Sequence, residues 1–251
     1  MKTRAYEQYL KESNNWLHRG RQALLETCLA PYCLSQFVKK TPQQILDVGS
    51  GSGKNIEILS TYGVVDVIEC EPLVSKILAN NSNVRQLYVK KVPFPLNKKY
   101  DIICAMDFLE HVEHDQAVFN WMVDHLNENG ILFVTVPAYP ILFSYHDIAL
   151  GHFRRYKLNS LIALSLNRIS LIKKGYFNFF LFPIAILSRT LESMRSGNKK
   201  KGFKQSSNVN SYLDFVLFQL LQIEIHFIRK YSVFPWGLTA FALFKKNCDR
   251  K

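Results

Sequence analysis

The residues with the clearest chemical purpose stand together in ILDVGSGSGKN, Ile45 to Asn55: an apolar run, a carboxylate at Asp47, then glycines at 49, 51 and 53. Glycine lets a chain turn sharply and brings backbone against a ligand where any Cβ would collide. The pattern places a nucleotide-type ligand outside the carboxyl end of a strand, where a helix begins. A dinucleotide fingerprint would want glycine at position 54, which is Lys54 here, and a carboxylate is a poor neighbour for a pyrophosphate. An acid ahead of the glycines suits a cationic ligand instead. A second acid is expected about 20 residues on, where it can accept ribose hydroxyls. VDVIECEP supplies Glu69 and Glu71. Glu71 is preferred, because it directly precedes the helix that Pro72 begins, whereas Glu69 is expected to face solvent.

S-adenosylmethionine carries an ammonium and a sulfonium and no phosphate, and it is the cofactor this arrangement suits. Methyl transfer from a sulfonium is an in-line displacement, so positioning does much of the work, helped by a base when the acceptor is a hydroxyl. Two segments offer groups for that role: Asp107, Glu110, His111 and His114 after the fourth strand, and His146, Asp147, His152, Arg154, Arg155 and Tyr156 in a later loop. Imidazole titrates near neutral pH, which makes His152 the first candidate base and His111 the second. Arg155, with Arg154, reads as a bidentate clamp for a carboxylate or phosphate on the acceptor. The competing reading has His111 bonding local backbone and the arginines anchoring the loop to Asp147 or Asp107.

The elements that must position these groups alternate between short apolar strands and helical patterns, the signature of βαβ units and a mostly parallel sheet. Strands are expected at Gln44 to Val48, Val64 to Cys70, Val84 to Val89, Tyr100 to Met106 and Gly130 to Val136. Several are apolar on both faces, as a sheet covered by helices on both sides requires. Asp115 reads as the N-cap of DQAVFNWMVDHL, with turn residues Asn127 to Gly130 after it. A helix from Leu158 to about Arg168, a sixth strand near Ser170 to Phe180 and a last strand, Leu238 to Lys245, complete the sheet. The fold class is therefore α/β, a doubly wound, mostly parallel Rossmann-like sheet with a helical insertion before the last strand. One domain spans 1–251: a helical cap over 1–40, the core over 41–180, the insertion over 181–232 and the last strand within 233–251.

That insertion holds two apolar helical stretches, Leu181 to Met194 and Tyr212 to Arg229, around the polar run SGNKKKGFKQSSNVN with Lys199 to Lys201. Arg189, Glu192, Asp214, Glu224 and Arg229 interrupt the ~20 uninterrupted apolar residues that a bilayer crossing needs, so no transmembrane span is expected. A lid over the substrate or core packing is preferred to a face resting on a membrane, and the basic run reads as a solvated loop. With 251 residues and 48% hydrophobic content the chain can bury one substantial core. A formal charge of +12 raises the standing of anionic partners without identifying one. The polar start MKTRAYEQYLKES does not read as a signal peptide, and the five scattered cysteines make no zinc or CxxC spacing. The expectation is a cytoplasmic protein with reduced thiols, peripheral membrane contact staying open.

DVGSGSG at 47–53, YDIICAMDFLEHVEHD at 100–115, NENGILFVTVPA at 127–138 and DIALGHFRRYKLNSL at 147–161 resemble the class I S-adenosylmethionine-dependent methyltransferases. Within that class the resemblance is to the ubiquinone-biosynthesis O-methyltransferase-like group, and ESNNWLHRGR, FNFFLFP and FPWGL share it. It implies a seven-stranded sheet with a reversed last strand. It also implies cofactor contacts at Asp47, Gly49, Gly51, Gly53, Glu71 and the segment Met106, Asp107, Phe108. Many members hold the adenine amine with an acid after the third strand; RQLYVKKVPF has none, leaving that contact unfilled or to backbone. Asp107, Glu110 and His111 are similar to an ExxEH metal site of some ubiquinone-pathway enzymes and of small-RNA terminal 2′-O-methyltransferases. Magnesium or manganese would fit it, with His146 or His152 completing the shell. Aspartate is one methylene shorter than glutamate, and no metal ligand is assigned on sequence grounds. The leading expectation is O-methylation of a small or lipid-like molecule. An RNA 2′-O-methyltransferase ranks below it, because the basic residues are dispersed and no RNA-binding module is recognisable. A non-catalytic binding protein with the same fold ranks below both, since it would not need Gly51 or Gly53.

Overall fold

The computed structural model describes residues 15–34, 42–166, 168–187, 210–231 and 234–247. Lys199 to Lys201 and Cys248 lie outside the described residues, as do the ends of the N-terminal cap at 1–14 and 35–40. Helix α1 (Trp16–Leu34) comes first, followed by β1 (Gln43–Val48), α2 (Lys54–Tyr62), β2 (Gly63–Ile68), α3 (Pro72–Leu78), β3 (Val84–Tyr88) and β4 (Tyr100–Met106). Then come α4 (Asp115–Asp124), β5 (Leu126–Pro137), α5 (Tyr145–Leu150), α6 (Leu158–Ala163), β6 (Ser170–Phe177), α7 (Ser211–Tyr231) and β7 (Thr239–Lys245). Single turns of tighter helix at Leu109–His111 and Pro140–Leu142 follow β4 and β5.

The seven strands lie in the order β3-β2-β1-β4-β5-β7-β6. The first five are parallel, while β7 runs antiparallel to both β5 and β6, so the last strand is reversed as expected. Strand order reverses between β1 and β4, the point of a doubly wound sheet where a ligand crevice is expected beyond the strands' carboxyl ends. β1 (QQILDV) and β4 (YDIICAM) are buried along almost their whole length, as a sheet covered by helices on both faces requires. One core packs α4 and α6 beneath the sheet through Phe119, Met122 and Leu161. The other packs α1, α2 and α7 above it through Leu25, Ile56, Leu221 and Ile228.

Several boundaries differ from the sequence reading for local reasons. β2 stops at Ile68, leaving Glu69 and Cys70 beyond the strand. β6 stops at Phe177 because Asn178 turns left-handed at φ 64°. α6 ends at Ala163 rather than near Arg168, and Leu166 is left-handed at φ 45°. The cap of α4 is His114, not Asp115, whose carboxylate instead accepts from the Gln116 amide. β5 begins at Leu126 and absorbs Asn127 to Gly130 through an irregularity opposite Tyr100 to Ile102.

The insertion is helical at 182–187 and along α7. By length and composition, Ser211–Lys230 could cross a membrane, which the sequence reading did not grant it. Its inner face is nevertheless committed to the protein. Asp214 accepts from the Trp16 amide and pairs with Arg19, and the buried Glu224 accepts from the Phe180 amide.

Candidate functional site

The loop between β1 and α2 has the three conformations its glycines make possible: φ is +70° at Gly49, +54° at Gly51 and +73° at Gly53. The Gly49 amide donates to the Ile68 carbonyl at 2.9 Å, which ties the loop to the end of β2. A methyl group added at Gly49 would lie 2.2 Å from the Phe108 ring, and one at Gly53 would lie 2.5 Å from Leu78. Phe108 therefore walls the loop from the β4 side.

Asp47 is only 1% exposed, and its Oδ2 has no hydrogen-bond partner. Burial, opposed by the neighbouring Ser50 hydroxyl and reinforced by the Glu69 charge, pushes its carboxyl up to about 6. A buried acceptor without a donor is costly, and a cation at this loop would supply one.

Glu69, expected to face solvent, is instead bonded into the glycine loop, whereas Glu71 is not. Glu69 is 8% exposed and does not face solvent. Its Oε2 accepts from the Gly51 amide at 3.0 Å and its Oε1 from the Glu71 amide at 2.8 Å. Each oxygen keeps acceptor capacity for a hydroxyl. Glu71 sits at the N-cap of α3, half-buried, and makes no side-chain cap bond.

After β4 the chain turns abruptly, with Asp107 at φ 50°. Its amide donates to the Thr135 carbonyl at 2.9 Å, and its Oδ2 meets the Arg21 guanidinium at 2.9 Å. α1 is thus tied to the turn that follows β4. Asn15 caps it by accepting from the Leu17 and His18 amides, and Gln22 donates to the Lys54 carbonyl at 2.8 Å. Arg21 was missed as a site residue. The only signal was a basic residue interrupting the apolar face of a predicted helix. Met106 lies beside the crevice, its sulfur accepting from the Asn55 amide group at 3.4 Å.

Glu110, His111 and His152 converge, with one potential ligand atom from each lying within 4.8 Å of the others. Glu110 is buried with Oε2 unpartnered, and burial followed by the Asp107 charge raises its carboxyl well above the usual range. Burial and then the His152 ring lower the His111 imidazole to about 4. The two imidazoles meet edge to face, centroids 4.6 Å apart. His152 Nδ1 lies 3.0 Å from Asp147 Oδ1. An ionised carboxylate only accepts, so Nδ1 carries the hydrogen and, in the neutral ring, Nε2 the lone pair.

Asp147 is fully buried and also accepts from the Ser144 amide, the Ser144 hydroxyl and Arg155 Nε at 2.7 Å. Burial, the largest single influence, would raise its carboxyl. The bonds from His152 and Arg155 and the Arg155 charge together outweigh burial and hold it well below the ordinary value.

Arg155 donates to Asp147 and to the Ala138 carbonyl, which ties the loop down as the competing reading expected. Arg154 pairs with Asp115 at 2.9 Å and donates to the Glu113 carbonyl. Tyr156 is buried and donates to Asp115 at 2.7 Å. His114 is exposed, and neither His146 nor Asp107 belongs to the three-residue cluster.

The chain has relatives among known proteins. Residues 15–172 match the protein family described as a methyltransferase domain. The ubiquinone biosynthesis O-methyltransferase of Rickettsia canadensis (strain McKiel) is 26% identical over 143 residues, 51% of this chain and 61% of that protein. Its counterpart in Rickettsia felis is 24% identical over 143 residues, 51% of this chain and 59% of that protein. The matches therefore span about three fifths of these relatives' length. Among solved structures, the N-methyltransferase NodS of Bradyrhizobium japonicum WM9, in complex with S-adenosyl-L-homocysteine, has a TM-score of 0.57 at 13% identity, covering 97% of each chain. The plantazolicin methyltransferase BpumL, also with S-adenosyl-L-homocysteine, has a TM-score of 0.57 at 16% identity, covering 95% of this chain and 90% of that one. At these identities the likeness is one of fold.

Proposed function

The chain belongs to the methyltransferase domain family, and we propose that it binds S-adenosylmethionine where β1 and β2 end and passes its methyl group to an oxygen of a small or lipid-like acceptor. One observation carries this reading: a buried carboxylate with an unpartnered oxygen, Asp47, opens a loop of three left-handed glycines into which Glu69 is bonded. A cationic nucleoside fits that chemistry, because it brings a positive group to Asp47 and hydroxyls to Glu69 without a phosphate to repel them. When bound, the cofactor supplies a methyl group on an electrophilic sulfonium.

The chain's own groups do the rest. Asp47 and the loop backbone hold the charged end, and Glu69, still able to accept at each oxygen, receives hydroxyls. Phe108 and α1, latched through Arg21 to Asp107, exclude water. His152 Nε2 takes the proton from an acceptor hydroxyl. Asp147 fixes the ring's tautomer and stabilises the charge it gains, while Arg155 holds Asp147 ionised.

The choice of an oxygen acceptor draws on the ubiquinone O-methyltransferase relatives, whereas a structural neighbour is an N-methyltransferase, so the fold alone does not select the atom. An acceptor with an apolar part is supported by the aromatic wall near the cleft, where Tyr139 stacks on Tyr176 at 5.3 Å and meets Phe182 at 5.1 Å. A second reading is favoured by the Glu110, His111 and His152 cluster. One carboxylate and two imidazoles can hold a divalent cation such as manganese, and that ion would then polarise the acceptor oxygen.

The test is incubation of the protein with cell extract and methyl-labelled S-adenosylmethionine. Label entering the organic phase is the expected result. Label in RNA or protein would contradict the acceptor class, and absence of both incorporation and cofactor binding would contradict the whole reading. Loss of turnover in a chelator, restored by manganese, would select the metal-assisted form.

A further inference from the structure

We propose that the outer face of α7, continued by residues 182–187 and Trp236, is a docking surface for a bilayer with anionic headgroups. The inner face of α7 is turned into the protein through Leu221, Glu224, Ile225 and Ile228. A helical stripe on the opposite side carries Tyr212, Phe215, Ile223 and Phe227, all solvent-exposed, with Phe215 at 56% and Ile223 at 47%. Only 22% of an 18-residue window of this helix is buried, at a mean hydropathy of 1.2. A helix that served only as core would bury the stripe.

The stripe runs on without a break. Phe227 lies 6.1 Å from Phe234, which stacks on Phe179 at 4.7 Å, which stacks in turn on Trp236 at 5.4 Å. Trp236 then borders a depression of about 490 Å³ lined otherwise by Phe182, Pro183, Ile186 and Leu187. An exposed apolar area of this continuity, rimmed by an indole, marks an interaction surface rather than ordinary scatter.

Charge selects the occupant. The chain carries a net +12. The sequence joining the two parts of the patch, residues 188–209, contains six cationic residues, Arg189, Arg195, Lys199, Lys200, Lys201 and Lys204, against one acid, Glu192. Arg229 and Lys230 stand in the last turn of α7. Stable attachment to a bilayer takes two signals, and an apolar face joined in sequence to a polybasic segment provides both. A second copy of this chain would bring its own +12 to the contact, and a nucleic acid would leave the apolar stripe uncovered. Because Phe182 also touches Tyr139 beyond β5, docking here would present the crevice to acceptors dissolved in the bilayer. That consequence rests on the proposed methyl transfer, whereas the docking itself does not.

The experiment is co-sedimentation of the full chain with phosphatidylcholine vesicles containing about 30% phosphatidylglycerol, and with phosphatidylcholine alone, at about 0.1 M and about 0.5 M salt. Binding to the anionic vesicles, weakened by salt, is expected. A Phe215→Glu/Ile223→Glu variant with an unchanged melting temperature is expected to lose about tenfold or more in partitioning. Lys199→Gln, Lys200→Gln and Lys201→Gln together are expected to weaken binding about tenfold or more to anionic vesicles alone. If the double variant unfolds, Ile186→Ser with Leu187→Ser reads the same surface from a separate element. The proposal is overturned if the wild type stays in the supernatant, if it binds neutral and anionic vesicles alike, or if folded variants bind undiminished. It is also overturned if sedimentation velocity gives a dimer that the α7 variant converts to monomer without any vesicle binding. Each failure would leave cofactor binding, read by calorimetry, where it stood.

Discussion

Replacing Asp47 with asparagine is expected to move stability and cofactor binding in opposite directions. The carboxylate is buried, its Oδ2 finds no donor, and its ionisation is displaced from 3.8 to about 6. That displacement corresponds to about 3 kcal/mol against the folded, ionised state at neutral pH. The sign follows from linkage: the folded chain binds the extra proton, so this cost grows as pH rises from about 4 to about 6 and is constant above. Asparagine is neutral and similar in shape. Its amide hydrogens must still find acceptors, so about half the cost, roughly 1–2 kcal/mol, is expected back, which is ~3–6 °C in a chain of this size. In thermal melts without cofactor the variant should therefore melt higher than wild type at pH 7.5, with the two converging near pH 4. Calorimetric titration with S-adenosylmethionine should go the other way. Losing a charge-assisted contact of about 1.5–3 kcal/mol weakens binding roughly ten- to hundredfold. An affinity unchanged within about twofold would refute the reasoning, as would a variant that melts lower at pH 7.5 than wild type.

Gly49→Ala should cost about 2–4 kcal/mol in unfolding free energy and abolish calorimetric cofactor binding, since its methyl group would meet the Phe108 ring at 2.2 Å on a backbone at φ +70°. Asp147→Ala leaves the buried Arg155 without its carboxylate and should destabilise by about 3–5 kcal/mol in denaturant titrations at pH 7. Because the Asp147 carboxyl is held low in the folded chain, its contribution is present above pH ~4 and fades as pH falls further, so the gap to wild type should narrow in acid. If Glu110, His111 and His152 hold a cation, manganese should raise the melting temperature, more strongly as pH rises and Glu110, whose carboxyl burial holds high, sheds its proton; Glu110→Gln should remove the response.

Much of the scaffold was legible because interior parallel strands are unbroken apolar runs punctuated by glycine and proline. The left-handed glycine loop was equally legible, since glycine takes those conformations at least cost. The choice between Glu69 and Glu71 was not. The two lie two residues apart, and the decision rests on β2 stopping at Ile68, which lets Glu69 fold back onto the Gly51 amide. Nor could spacing foresee that Arg155 would be neutralised by Asp147, capped within a short helix eight residues earlier, or that Arg21 would reach Asp107 across the crevice. The meeting of Glu110 and His111 with His152 likewise depends on a contact across the fold, made where the Phe153 amide donates to the Glu110 carbonyl at 2.7 Å. Local pattern fixes conformation, whereas partners distant in the chain fix charge state and role.

The most direct test of the central claim is a crystal structure of the chain with S-adenosyl-L-homocysteine. The account predicts the ligand's ammonium within about 3.2 Å of Asp47 or of the Gly49 to Gly53 backbone, and its ribose hydroxyls on Glu69. Density for the ligand elsewhere, or a crevice that stays closed by Phe108 at millimolar ligand, would contradict it.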